Sequence, residues 1–486
     1  MVTKPASVKK NFALNMINTV SELLFPLITF PYSSRILLAD GIGQVQFFNS
    51  IIEYIVLFTS IGIPLYAIRE IARVRDDSRL MSKTATEILI LHTILSCVGY
   101  AFVFILICAV TKIQADVPLF VLLSTSIILT TLGANWLYFG VEDFKFITIR
   151  NFFIRLSTTI ALFIIVKEKN DLYFYALISI VGTFGGNFFN FIRLRKYINV
   201  HYIKIKELQV MRHFKPALKI FALNLVVSLY VSLDSIMLGL LYNETAVGYY
   251  TASVRVARAI TGVVSSLGVV LLPRLSNMVS NDRMEEFRAL SNKCINVIIA
   301  LSLPLAIITF FMASPIIRLF CGNTFDPSIL TLQIIVPVVI FIPLSNIFNM
   351  QILYSLGKEK LSIISVSIGA IINFMLNLYL IPIYSQYGAA VATITAEFIV
   401  MLLAIIIGRR YISLRIFSKQ KIHYCLASAM ILVMLLILKQ FDIHEYVYLI
   451  IGTITAILIY YIYLWAVKDE FFVQIKAIII SKVLHK

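Results

Sequence analysis

The residues able to do chemistry in this chain are charges set inside long apolar runs. Arg255 and Arg258 stand three positions apart within one such run, so a helix places them one turn apart on one face. Two guanidiniums held that close repel each other and call for an anion or several carboxylates beside them. A guanidinium forks onto a phosphate through parallel hydrogen bonds, which makes the pair a candidate site for an anionic substrate. Arg155 sits inside another run and joins them. Four acids share the same setting: Glu22, Glu53, Asp234 and Glu397. A carboxylate in apolar surroundings takes a proton or a cation readily, so these four are candidates for ion coupling or gating. The structural alternatives are an ion pair between Glu53 and Arg258 and a helix-end role for Asp234. Asparagines complete the set. Asn11, Asn15, Asn18 and Glu22 fall on one helical face, and Asn49 precedes Glu53 by one turn. Asn224 shares a face with Ser228, Ser232 and Asp234, and Asn373 and Asn377 form an i, i+4 pair. Asn15, Asn18, Asn49, Asn224, Asn373 and Asn377 either line a polar cavity or bond helix to helix.

The elements that must position these residues are membrane helices. The 486 residues are 60% apolar and only 14% charged, where a soluble domain averages about 25% charged. Apolar runs of about 20 residues, the length of a spanning helix, recur along the whole chain. They are continuous rather than alternating, which selects helices over a barrel. The spacing predicts spans at 11–32, 42–66, 86–110, 117–141, 147–166, 171–193, 216–241, 246–272, 291–317, 329–354, 361–381, 388–408, 423–440 and 446–467. The fold class is therefore all-α, with about fourteen transmembrane helices. With the N-terminus in the cytoplasm, 33 of the 42 Lys and Arg fall on inner segments, 6 on outer ones and 3 within helices. That asymmetry is the positive-inside signature and puts both termini in the cytoplasm. The inner count includes Lys145 and Arg150 as loop residues. The net charge of +17 is then topology and contact with anionic membrane lipids; no recognition motif supports a nucleic-acid partner.

The outer connections are short, the longest being 318–328. The inner stretch 194–215 is the longest connection and reads as a basic amphipathic linker on the inner leaflet. Lys4, Lys9 and Lys10 precede the first run, which lacks a small-residue cleavage site and is read as helix 1 rather than a removed signal. Pro26 and Pro31 bend helix 1, Pro64 ends helix 2, and Pro337 and Pro343 break helix 10. Five cysteines with no CxxC pair, six histidines, no HExxH and no Walker A sequence leave no metal site, no cofactor and no ATPase chemistry. A weak repeat sets Ile42-Gly43-Gln44 against Val247-Gly248-Tyr249, and the same offset sets Glu53 against Arg258.

Four stretches resemble the polysaccharide-exporter (Wzx-type) branch of the MOP flippases. They are FPYSSRILLADGIGQVQFFNSIIEYIVLFTSIGIPLYAIREIAR over 30–73, NWLYFGVEDFKFITIRN over 135–151, LYVSLDSIMLGLLYNETAVGYYTASVRVARAI over 229–260 with LLPRLS at 271–276, and GKEKLSIISVSIGAIINFMLNLYLIPIYSQYGAAVATITAE over 357–397. The matching positions include Arg35, Gly43, Trp136, Gly140, Glu142, Arg150, Asp234, Gly248, Arg255, Asn373 and Gly388. The resemblance implies two six-helix lobes packed as a V, residues 1–208 and 209–412, with two further helices and a tail over 413–486. It implies alternating access that carries an undecaprenyl-pyrophosphate-linked oligosaccharide across the bacterial inner membrane for O-antigen, capsule or exopolysaccharide synthesis. It adds Arg35 to the cavity cations Arg155, Arg255 and Arg258. H+ or Na+ is the coupling ion such a cycle would use, and the polysaccharide polymerase machinery is the partner it would feed. Two other readings stand beside it: a multidrug or cation antiporter of the same superfamily, and a polytopic glycan polymerase or transferase, which the short outer loops disfavour.

Overall fold

A computed structural model describes residues 8–412 and 418–469; side chains at 8–13, 15, 17, 19, 20, 23, 200, 222–231, 267, 269 and 270 lie outside the described residues. The expected polar positions Asn15 and Asn224 fall in that excluded set. Among the described residues every regular element is helical, as an apolar solvent demands, because each backbone group must bond within its own segment.

Packing groups the chain into two units, residues 1–248 and 249–486. The first holds α1 (Val8–Ser60), α2 (Ile63–Val74), α3 (Ser78–Ala109), α4 (Thr111–Gln114), α5 (Val117–Gly133), α6 (Asn135–Gly140), α7 (Phe144–Ile165), α8 (Leu172–Arg193) and α9 (Phe214–Leu241). Within it α5 packs on α8, and α1 packs on α3, α5, α7 and α9. This grouping carries α9 with the first unit, whereas the sequence reading assigned residues from 209 onward to a second lobe. α10 (Glu244–Ser280) begins at the boundary. The second unit continues with α11 (Met284–Phe311), α12 (Ala313–Cys321), α13 (Pro327–Ile335), α14 (Val338–Asn346), a π-helical turn over Ile347–Leu353, α15 (Glu359–Gly408), α16 (Lys419–Leu438) and α17 (Glu445–Ala466). There α11 packs on α14 and α16, and α16 on α17.

Eleven helices among the described residues are long and apolar enough to cross a membrane. Two of them, Leu24–Val74 and Glu359–Gly408, run 51 and 50 residues, more than twice the length of one crossing. Both break sharply part-way: at Leu38 (φ 59°) in α1, with a further turn at Ile61 and Gly62 before α2, and at Ser385 (φ 53°) in α15. The loops expected around 33–41 and 382–387 thus shrink to a single non-helical residue, and a left-handed φ at a side-chain-bearing position holds only because the packing on both sides fixes it.

One further expectation changes. Pro64 does not end helix 2; α1 stops at Ser60, Gly62 takes φ 68°, and Pro64 lies in the first turn of α2, where its missing N–H costs nothing. The linker read over 194–215 is built as a series of short 3₁₀ turns over 194–196, 200–202, 205–207 and 210–213, and α9 begins at Phe214. Pro337 does interrupt the helix, between α13 and α14.

The two repeat-related glycines are neighbours in space. A Cβ on Gly43 would collide with the Glu244 carbonyl and the Gly248 nitrogen, and one on Gly248 would collide with the Ala39 carbonyl. The backbones touch, so only glycine fits. Gly43→Val is expected to cost at least about 1–3 kcal/mol by overpacking, read as a lowered thermal midpoint of the detergent-purified protein; an unchanged midpoint would show that the contact does not form.

Candidate functional site

In the first unit the charged and amide side chains of α1, α6, α7 and α8 form one network. Arg155 of α7 donates from Nη2 to Glu22 Oε1 at 2.7 Å, and from Nη1 to Ser21 Oγ at 3.1 Å and the Asn18 carbonyl at 3.2 Å. Asn151, one turn earlier, donates to Asn18 Oδ1 at 2.8 Å. Arg150, one residue before that, donates to Asn151 Oδ1 at 2.8 Å and to Asn190 Oδ1 of α8. Asn190 in turn donates to Asn135 Oδ1 at 2.8 Å and to the Gly133 carbonyl at 2.7 Å, and Asn135 donates to Asn187 at 2.9 Å. Two residues expected to act separately, Arg155 as an anion contact and Glu22 as a coupling acid, are therefore an ion pair. Arg155 is 14% exposed and Glu22 53%, so the glutamate end meets the surroundings while the arginine is the held partner. A double-mutant cycle on Arg155→Ala and Glu22→Ala is expected to return a coupling of about 1 kcal/mol in unfolding free energy; strictly additive losses would show that the pair does not form in the folded protein.

Arg150 was counted as a loop cation. It is buried in the second turn of α7, because the helix begins at Phe144 and not at 147. Its neutral amide partners spread the charge without cancelling it, which is how a lone guanidinium is tolerated away from water. The amides of this network, Asn151 and Asn190 on Arg150 and Asn187 on Asn135, escaped the sequence reading. The i, i+3 spacing of Asn187 and Asn190 in an otherwise apolar run was the available signal.

A second cluster joins the later half of α1 to α9. Glu53 accepts from Asn49 Nδ2 at 2.7 Å and from Ser232 Oγ at 3.0 Å. Asp234 is buried two residues on from Ser232, and Tyr54 lies within electrostatic reach of both acids. The two carboxylates and a phenol thus gather on adjoining helices. Arg35 is exposed on α1.

A third cluster, absent from the sequence reading, anchors the linker. Glu87 of α3 is fully buried. Its Oε2 takes Arg212 Nη2 at 2.6 Å and His213 Nε2 at 2.9 Å, and its Oε1 accepts from the Gln209 N–H at 2.7 Å. Tyr66 of α2 closes the set with a 2.7 Å hydrogen bond to His213 Nδ1.

In the second unit Arg255 is half-buried and Arg258 exposed, one turn apart on α10. Glu397 is buried on the later half of α15, and Asn373 and Asn377 are fully buried on the earlier half. Asn377 donates to Asn373 Oδ1 at 3.1 Å, while Asn373 Nδ2 has no hydrogen-bond partner among the described residues. Tyr250 and Thr393 share a 2.9 Å hydrogen bond that ties α10 to α15 one turn before Glu397. Arg318 clamps the loop after α12: it forks onto Asp326 at 2.8 Å on both oxygens and reaches Glu445 at 2.9 Å. That guanidinium holds the Asp326 carboxyl below the usual carboxylate range.

The positions that matched family motifs are largely structural here. Gly43 and Gly248 meet as described, Gly140 faces Ile71, Gly388 faces the Leu380 carbonyl, and Glu142 pairs with Arg75 at 2.7 Å.

The sequence matches the family described as "Polysaccharide biosynthesis protein" over residues 8–279, and the family described as "MatE" over residues 220–379. A protein of Escherichia coli strain K12 named "Putative O-antigen transporter" is 22% identical over 413 residues, covering 84% of this chain and 98% of that protein. The fold is similar to a solved structure of the lipid II flippase MurJ in an inward closed conformation, with a TM-score of 0.65 at 18% identity, covering 90% of this chain and 97% of that one. It is also similar to an inward-facing multidrug resistance MATE family transporter of the MOP superfamily, with a TM-score of 0.63 at 15% identity, covering 83% of this chain and 98% of that one.

Proposed function

Because this chain belongs to the polysaccharide biosynthesis protein family, matched over more than half its length, we propose that it flips a lipid-linked oligosaccharide from the inner to the outer leaflet for surface polysaccharide synthesis. The observation that carries this reading is the near end-to-end relation to an O-antigen transporter in a multi-pass helical protein. The protein is a transporter and not an enzyme. A head group of sugars and phosphates cannot cross hydrocarbon unaided, whereas a polyprenyl tail stays in the bilayer throughout. The protein therefore has to shelter only the polar end, by exposing its site to one leaflet and then to the other.

The finer assignments belong to the same reading. The cargo is an undecaprenyl-pyrophosphate-linked repeat unit, and the membrane is the bacterial cytoplasmic membrane with both termini on the cytoplasmic side; the Lys and Arg asymmetry of the loops supports that orientation. Fourteen crossings follow when α1 and α15 each cross twice, as their mid-length breaks allow, and α9 crosses once. The transport lobes are 1–208 and 209–412, with 413–486 appended. The candidate cations for the pyrophosphate are Arg35 and Arg155 in the first unit, the latter once it parts from Glu22, and Arg255 and Arg258 in the second. Glu22, Glu53, Asp234 and Glu397 carry H+ or Na+ coupling and gating. Asn15, Asn18, Asn49, Asn224, Asn373 and Asn377 line the polar path, and the polymerase machinery receives the product.

The Glu53 and Asp234 cluster favours a second reading, export of a cationic drug in exchange for an ion. Purified protein in liposomes separates the two: translocation of an undecaprenyl-pyrophosphate oligosaccharide supports the flippase, and ion-driven movement of a cationic dye without it supports the antiporter.

A further inference from the structure

A groove of about 490 Å³ runs along α7 and α8 where their charged ends meet, the start of α7 and the finish of α8. One end is cationic. Lys145, Arg150 and Arg193 line it with a single acid, Asp143. Asp143 is already engaged, accepting from Arg193 Nη2 at 2.8 Å and from the Tyr197 hydroxyl at 2.7 Å. Arg193 lies over the Phe146 ring, 4.0 Å from its centroid, which fixes the guanidinium plane. Its side chain is 32% exposed, so the guanidinium can meet an anion in the groove. Lys145 is exposed and has no ion pair among the described residues. The other end of the groove is apolar. Phe153, Ile154 and Phe189 wall it, and Phe153 and Phe189 are exposed. From Lys145 to Ile154 the helix rises about 13 Å, so polarity changes along the groove as it changes from the head to the chains of a lipid.

We infer that this groove holds one anionic phospholipid of the inner leaflet, its phosphate against Lys145 and Arg193 and the upper part of its chains along Phe153 and Phe189. Basic pockets between membrane helices on the cytoplasmic side take such head groups, and the loop-charge orientation puts this end there. The groove opens onto exposed apolar side chains, and its lining offers a phosphate two cations and an acyl chain two phenylalanines. The lipid is assigned from that lining, and the assignment stands whether or not the proposed transport reading holds.

Native mass spectrometry of the full-length protein, titrated with phosphatidylglycerol and with phosphatidylcholine, tests this. The wild type is expected to retain one phosphatidylglycerol about thirty-fold more tightly than phosphatidylcholine, the size expected from two nearby cations at about 1 kcal/mol each. Lys145→Gln with Arg193→Gln should erase that preference, while Arg409→Gln with Arg410→Gln, an equal charge loss elsewhere, should keep it. Lys145→Gln alone touches no structural contact and should weaken the preference about five-fold. Equal retention of the two lipids by the wild type, or a preference that survives the double substitution, would overturn the site. Displacement of the retained lipid by equimolar undecaprenyl pyrophosphate would overturn its identity and make the groove a cargo site.

Discussion

Glu87→Leu is expected to release the segment before α9 and to destabilise the protein by about 3 kcal/mol. That figure is the lower end for breaking a buried ion pair, chosen because Arg212 keeps 44% of its side chain exposed and can rehydrate. The larger loss comes from His213 and the Gln209 N–H, which stay buried or half-buried without the acceptor they now share. Leucine fills the space but accepts nothing. The checks are the thermal midpoint and the rate of trypsin cleavage after Arg212, which should rise steeply; unchanged cleavage would show that the cluster does not hold the linker. The same cluster makes the linker sensitive to pH. Burial lowers the His213 pKa more than the Glu87 hydrogen bond raises it, so its folded value lies below the histidine range. The released form then binds a proton more readily than the docked one. The stabilisation is whole above the ordinary histidine pKa of about 6.5 and declines as pH falls below it. Wild-type cleavage after Arg212, divided by the rate on an unstructured peptide at the same pH, is therefore expected to be higher at pH 5.5 than at pH 7.5, and a pH-independent ratio would contradict the assignment.

The second large effect concerns Arg255 and Arg258. If they hold a pyrophosphate, each supplies charge-assisted hydrogen bonds worth about 1.5–3 kcal/mol, and about 1.4 kcal/mol is a factor of ten. Arg255→Gln with Arg258→Gln is then expected to lower oligosaccharide flipping in liposomes at least about 100-fold at equal protein content, and each single change about ten-fold. Glutamine keeps length and polarity and removes charge. Lysine at both positions keeps charge and loses the fork, so it should recover only part of the rate. Transport at the wild-type rate by the double variant would remove the pair from the cargo site.

The apolar runs and their lengths were legible in the sequence because the bilayer imposes one rule on every segment. Long-range pairing was not. Glu87 stood at the edge of a predicted span and Arg212 in a distant loop; nothing local says that a buried acid is satisfied by residues more than 120 positions away. Arg150 looked like a loop cation because the start of a helix is poorly marked when Lys145 and Arg150 both fall in its first two turns. The breaks at Leu38 and Ser385 were read as loops, since a single left-handed residue leaves no composition signal. The sequence did bring out Asn18, Glu22 and Arg155, yet it could not show that the last two neutralise each other.

The packing of α9 on α1 and α2 also has a consequence for synthesis. The ribosome releases the helices of residues 8–193 and then the linker, but the faces that α9 covers stay bare until residue 241 has emerged. The first half of the chain is thus an unfinished body at residue 208 and a finished one at residue 248. During that interval the nascent chain depends on the insertion machinery to keep those faces from the wrong neighbours. The linker clasp on Glu87 forms just before α9 enters, so it fixes where the last helix of that body will land.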